Sequence, residues 1–380
     1  MGSRERVRGR EPLSFYAQHD RDQGLVTLAA DRGELPCLVK AQFATGRAMM
    51  LLNAAGVLPD GTAADMIHGL SPSAAFARFG HESDATPGNA SFSFGASIIA
   101  PFTGRIAGIP ISDPGEIETI VAGRPIRLRA NGGDGCAIHG LILKKACSAV
   151  AVRADAKAAW AFAVIEAGDF DGRWPSRARL EITWRMSARS LSVRVVTVNV
   201  GCEPLPIGIG WHPYIAIPRA QRSDARLRVA ASARLPVRDY QSMIPTGEVL
   251  TVAGTSFDML ALGGVRLGER SFDDCFVDLG RDKSAEVWAE VIDPAARLSV
   301  RVSSRTPQVR ALQIYAPANN SFVAIEPNFA WPDPYGTQWG GRETGMVLLP
   351  PGHRIAYDAA ITIFDTIGSV SSPEPGAPSS

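Results

Sequence analysis

Paired cysteines are missing from this chain of 380 residues. Its five cysteines, Cys37, Cys136, Cys147, Cys202 and Cys275, are odd in number and widely scattered, with no CxxC pair. A disulfide framework or a zinc knuckle is therefore not expected, and a reducing compartment is the simpler expectation. An excess of charge of one sign is missing too, since 39 basic residues face 38 acidic ones and leave a formal net charge of +1. That balance gives no pull toward nucleic acid or a membrane surface. No stretch approaches the roughly 20 apolar residues of a membrane-spanning helix. Met1 to Arg10 is polar and arginine-rich with no apolar core behind it, so no secretory signal is expected. A soluble, cytoplasmic protein is the expectation. Cofactor signatures are absent as well: there is no GxGxxG after a strand, no GxxxxGK[ST] and no GxSxG elbow. No histidine pair has the i, i+4 spacing of a helical zinc site. The glycine-rich run Asn131 to Gly135 lacks the helix and lysine a phosphate cradle needs. A dehydrogenase, a kinase and a serine hydrolase are all disfavoured.

What the chain does have is period-two hydrophobicity. Leu180, Ile182, Trp184 and Met186 alternate with polar partners, Ser187 to Ser190 turns, and Leu191, Val193 and Val195 alternate back, which is a hairpin pattern. Similar runs are Ile138 to Leu143, Val287 to Val291, Leu298 to Val302, Leu312 to Tyr315 and Phe322 to Ile325. Only Ala154 to Ala167 could claim a helix, yet Trp160, Phe162 and Val164 alternate with alanine and favour a strand. The 37 glycines and 27 prolines punctuate these runs as an antiparallel fold requires. The expectation is all-β: one domain over residues 24–367, a polar tail over 1–23 and a Ser/Pro/Gly tail over 368–380. Leu70 to Asn89, weak in pattern, is expected to be a long surface loop.

Five places could carry chemistry. Gly210-Trp211-His212-Pro213-Tyr214 ends a polar-poor run and sets an imidazole among aromatic rings, beside a proline that blocks continued pairing. Arg105 lies in Pro101 to Ile106 among apolar neighbours, and His139-Gly140 stands where a glycine-rich turn enters a strand. Phe272-Asp273-Asp274-Cys275-Phe276 offers two acids that point to opposite faces of a strand. Glu326 ends an apolar strand, where a carboxylate is costly unless paired or functional. Each has an ordinary alternative: a buried histidine bonded to a carbonyl, a solvated arginine, a solvated acid.

Taken in order, these segments resemble the aldose 1-epimerase (galactose mutarotase) family from about Gly95 to Pro350, and more faintly back to Val26. Pro101 to Ile106 is similar to the family's Pro-Phe-x-x-Arg-Ile, and Ile138-His139-Gly140 to its His-Gly motif. Gly172-Arg173-Trp174-Pro175 before Leu180 to Met186 is similar to Gly-Tyr-Pro before a Thr-Tyr strand, with tryptophans in place of the tyrosines. Trp211 to Tyr214 is similar to the second histidine segment, and Asp273 to Phe276 to Asp-His-x-Phe with Asp274 in place of histidine. Gln313-Ile314-Tyr315 and Glu326 to Pro332-Asp333 are similar to the closing Gln-x-Tyr and Glu…Pro-Asp segments. The sequence departs from the family by lacking Asn-His-x-His-Gly-Gly around the first histidine, and by Pro327-Asn328 where Thr-Gln is common.

The resemblance implies a large antiparallel β-sandwich and an isomerase that interconverts the anomers of a free aldose. Glu326 is the implied base and His212 the implied acid, whose pKa a nearby carboxylate would raise. His139 is implied to hydrogen-bond near the ring oxygen, and Arg105 and Asp273 to fix other hydroxyls, with Asp274 the alternative to Asp273. An aromatic, Trp331 or Trp211, would pack on a sugar face. Opening and reclosing a hemiacetal needs an acid and a base and implies no cofactor and no metal. Expected partners are a small-molecule sugar, with neither nucleic acid nor membrane, and a monomer or homodimer. Three alternatives stand beside this reading. One is an epimerase of an anionic sugar, a hexose 6-phosphate or sulfonated hexose, served by Arg342, Arg153 or Lys144. Another is a non-catalytic carbohydrate-binding protein of the same fold. The last is a metal site of His139, His212 and Glu326.

Overall fold

Two large antiparallel sheets and a smaller one account for most of the chain in the computed structural model, which describes residues 14–80, 90–132, 135–261 and 263–366. The nine-stranded sheet carries the hairpin expected from the alternation: Ala178–Met186 pairs with Ser190–Asn199, with Trp184 opposite Val193. Ala159–Gly168 joins it as a strand, as its alternating pattern suggested. Along Ala178–Met186 every second residue is buried and the others are half-buried, so one face meets the core and the other meets solvent. Val287–Asp293, Leu298–Ser304 and the long strand Arg354–Asp365 complete its middle.

The eight-stranded sheet is different in kind. Its centre is Phe322–Asn328, all seven residues of which are buried, flanked on one side by Ala311–Ala316 and Phe272–Leu279. On the other side the chain switches partners at Pro213. Gly210–His212 pairs mainly with Ser97–Ile99, and Tyr214–Ala216 pairs with Phe322 to Ala324. Proline has no N–H to give a ladder, which is why the pairing breaks there. Gly210 is required for packing, since a Cβ on it would lie 2.0 Å from Asn328 Oδ1.

Aromatic contacts tie the sheets together. Trp184 of the nine-stranded sheet meets Trp211 of the eight-stranded sheet at 5.5 Å between ring centroids. On its other side Trp184 meets Phe43, from a five-stranded meander over residues 15–65, at 4.8 Å. Tyr357 donates its hydroxyl proton to Pro327 O across the same interface (2.8 Å).

Three local expectations are corrected. Phe15–Asp20, placed in a tail over residues 1–23, is a strand paired with Leu25–Ala30. It is the outermost strand of the meander and buries only Phe15, so its polar residues mask the pattern. Within the expected loop from Leu70 to Asn89, Pro72–Arg78 is a helix, capped by Ser71 Oγ and opened by proline at its first turn. Residues 81–89 of that loop, and the expected tail 368–380, lie outside the described residues. The strand expected over Ile138 to Leu143 ends at Ile138, because His139 and Gly140 both take positive φ (59° and 75°) and turn the backbone.

Candidate active site

One face of the eight-stranded sheet forms the floor of a cavity of about 610 Å³. The register sets its residues in two rows. Glu326 lies opposite Gln313, Gln313 opposite Cys275, and Cys275 opposite Leu235. In the next row Tyr214 lies opposite Ala324, Ala324 opposite Tyr315, and Tyr315 opposite Asp273. Residues two apart on a strand share a face, so Glu326 and Ala324, Asp273 and Cys275, and His212 and Tyr214 pair off along these rows.

His212 and Glu326 meet at the deep end. Nε2 of His212 is 3.0 Å from Oε1 of Glu326, with side-chain exposures of only 5% and 1%. The pair's other polar atoms, His212 Nδ1 and Glu326 Oε2, are buried without a protein partner. Leaving such atoms unpaired costs about 1–3 kcal/mol each, a cost a bound ligand with hydroxyl groups would relieve. Aromatic rings hold the imidazole: Tyr214 at 4.6 Å, and Phe92 edge-on at 5.0 Å.

A short antiparallel pair above the sheet brings in two more predicted residues. Arg105 sits opposite Ile138, and His139 N donates to Gly104 O at 2.9 Å. Asn131 closes the turn that leads there, its Oδ1 accepting from Ile138 N (2.8 Å). Gly140 must be glycine: besides its positive φ, a Cβ would lie 2.2 Å from Ala100 O. The His139 ring stacks on Phe92 at 4.4 Å and stands edge-on to His212 at 5.1 Å. Burial pushes the His139 pKa well below the usual histidine value, and the neighbouring His212 and Arg105 add to the shift. A neutral imidazole follows at neutral pH, with Nδ1 buried and unpartnered, as is Arg105 Nε.

Of the two adjacent acids, Asp273 lines the cavity, and its Oδ1 accepts from Gln313 Nε2 at 2.6 Å. Burial raises its pKa to about 6, with Arg105 working against the shift and Glu326 adding to it. Asp274 turns away to Arg234 Nη1 and Tyr240 OH, both at 3.4 Å. Burial likewise keeps the Cys275 thiol and Tyr214 hydroxyl protonated, so neither is a base.

Thus Arg105, His139, His212, Asp273 and Glu326 converge on one cavity. Trp331 does not line it and is corrected. The loop that follows the Glu326 strand carries its ring onto Trp339, at 5.0 Å. Trp211 is no platform either, being fully buried between the sheets. Phe92, Tyr214, Tyr240 and Tyr315 supply the aromatic wall instead. Asp333 is a tie rather than a lining residue. Its N donates to Arg105 O and its Oδ1 accepts from Ala107 N, which fastens the Glu326 loop to the Arg105 strand. Arg342, Arg153 and Lys144 all lie away from the cavity lining. Arg153 covers the Trp160 ring, and Arg342 donates to Gly247 O. Among the described residues, no three His, Cys, Asp or Glu side chains converge on a metal-holding geometry.

Of the residues sequence reasoning passed over, Tyr214 had a signal: it stands two positions after His212, on the same face. Gln313 was visible only as part of a motif, and Phe92, in a short 3-10 turn, had no period to betray it.

Comparison with known proteins bears on the family and the fold. The family model for aldose 1-epimerase matches residues 92–362, a span that contains every residue of the convergent set. The fold is similar to that of a galactose mutarotase-like protein from Clostridium acetobutylicum, with TM-score 0.69, 14% identity, and coverage of 93% of this chain and 99% of that one. A galactose 1-epimerase from Lactobacillus acidophilus is similar at TM-score 0.64 and 16% identity, covering 93% and 98%. An aldose epimerase homologue from C. elegans is similar at TM-score 0.65 and 15% identity, covering 88% and 98%. These likenesses establish a shared all-β fold.

Proposed function

The chain belongs to the aldose 1-epimerase family, and from that premise we propose that it interconverts the α and β anomers of an uncharged free aldose. The observation that carries the reading is the buried His212–Glu326 pair, 3.0 Å apart on the cavity floor, with both outer polar atoms unpartnered. An entering sugar takes over the hydrogen bond that the two groups give each other. Glu326, as carboxylate, removes the proton of the C1 hydroxyl, while His212, as imidazolium, gives a proton to the ring oxygen. The C1–O5 bond breaks and leaves an aldehyde, a neutral carboxyl and a neutral imidazole. Rotation about C1–C2 presents the other face of the aldehyde. Then His212 takes the proton from the C5 hydroxyl, Glu326 returns one to the C1 oxygen, and both groups regain their starting states. Each such transfer is worth about 10²–10⁴-fold in rate.

Neutral His139 hydrogen-bonds hydroxyls near the ring oxygen, and Arg105 and Asp273 fix others, since charged partners make the stronger bonds. A neutral substrate is favoured over a phosphorylated one, because among the described residues Arg105 is the one Lys or Arg in the cavity lining and shares it with two carboxylates, Asp273 and Glu326. The test is polarimetry of freshly dissolved α-glucose and α-galactose. The native chain should speed their approach to equilibrium, and His212→Asn should lower kcat by about 10²–10⁴-fold. An unchanged rate in that variant would remove His212 from the reaction.

A further inference from the structure

The cavity changes character along the row that starts at Glu326. Beyond Gln313 and Cys275 the row reaches Leu235, three strand spacings away, or about 14 Å. That is farther than one pyranose ring spans when its anomeric carbon sits at Glu326. There the lining is Leu235, Val237, Met243 and Pro245, none of which offers a side-chain polar group, together with Tyr240, whose hydroxyl donates to Asp274 Oδ1 at 3.4 Å. At the other end, every unpartnered buried atom of the cavity lining belongs to Arg105, His139, His212 or Glu326, with none beyond Asp273.

The apolar wall is built, not incidental. Residues 236–246 fold back on themselves through Val237 opposite Pro245, Arg238 N to Ile244 O (2.9 Å) and Thr246 N to Pro236 O (2.9 Å). Asp239 caps the tip by accepting from Gln241 N and Ser242 N. Gly247 braces the segment from behind, since a Cβ there would lie 2.3 Å from Gln338 O. Arg238 and Asp239 are exposed, while Met243 and Pro245 are buried and line the cavity. A cavity of about 610 Å³ falls within the range of sites for ligands larger than one monosaccharide.

We propose that the substrate is an uncharged reducing sugar bearing an apolar substituent at the end of the ring remote from the anomeric carbon, seated against Leu235, Val237, Met243 and Pro245. This rests on the anomerase reading above. Contacts so far from the reacting bond are made equally in ground and transition states, so the preference belongs in KM rather than kcat.

Anomer-resolved exchange NMR on the native chain compares glucose, 4-O-benzylglucose and cellobiose, with the corresponding galactose series beside them. The benzyl ether should exceed the parent sugar in kcat/KM by at least about tenfold, the usual scale for filling an apolar pocket. The disaccharide, of similar size but polar, should show no such gain. Val237→Asp should bring the benzyl-to-parent ratio down toward one. A benzyl ether no better than its parent, or a disaccharide gaining as much, would overturn the apolar subsite and leave the acid–base reading standing. Catalysis of none of these sugars would fell both.

Discussion

The two large sheets use burial for opposite ends. In the nine-stranded sheet, inward residues such as Leu180, Ile182 and Trp184 are apolar and their outward neighbours are polar. Along that hairpin burial is stabilising, and where the same sheet buries acids they are satisfied, Glu290 by Arg228 and Arg301 and Asp293 by the backbone N–H groups of Arg219 and Ala296. In the eight-stranded sheet the second face is closed over as well, and what it closes over includes His212, Asp273 and Glu326. Burying ionisable groups costs stability, and the sheet carries that cost where the proposed acid and base sit. The same fold therefore holds one sheet that would gain little from polar change and another that would gain from losing its charges.

Three substitutions sharpen or break this contrast. Leu180→Ala, on the inner face of the nine-stranded sheet and fully buried, should lower unfolding free energy by about 2–5 kcal/mol. Urea denaturation reads the loss, while kcat of the folded chain for the proposed anomerisation should hardly move. Asp273→Asn should act the other way. The folded-state pKa of about 6 lies above the ordinary 3.8, so the native protein loses stability as pH rises through that window. The variant lacks that loss, and above pH 6 it should be more stable by about 1–3 kcal/mol while its sugar turnover falls. A variant less stable than the native chain at pH 7 would break the contrast. Arg194→Ala removes an ion pair in which Nη1 reaches both oxygens of Asp358, with both partners about half exposed on the solvent face. It should cost under about 1 kcal/mol by the same denaturation measurement.

That contrast also explains what could be read in advance. A sheet with one wet face writes itself as alternation, and the hairpin of Leu180 to Val195 was legible for that reason. The site sheet is buried on both faces, so Phe322–Asn328 reads as an apolar run interrupted by Glu326 and closed by Asn328. The anomaly was visible and the family resemblance implied His212 as its partner, but the pairing that brings the two together was not legible, because Pro213 re-routes it. Trp331 misled because a ring near a buried carboxylate in sequence says nothing of which way a loop carries it. Side-chain register placed Asp273 rather than Asp274 in the cavity, a choice that period-two spacing alone left open. Phe15–Asp20 and the helix Pro72–Arg78 escaped notice because each buries a single residue.

The central claim is that the buried Glu326 carboxylate takes the anomeric proton. Glu326→Gln keeps size and hydrogen bonding but removes the base. With correct folding shown by circular dichroism, polarimetry on α-glucose should find kcat lowered by about 10²–10⁴-fold. A folded variant that anomerises sugar at the native rate would contradict the account.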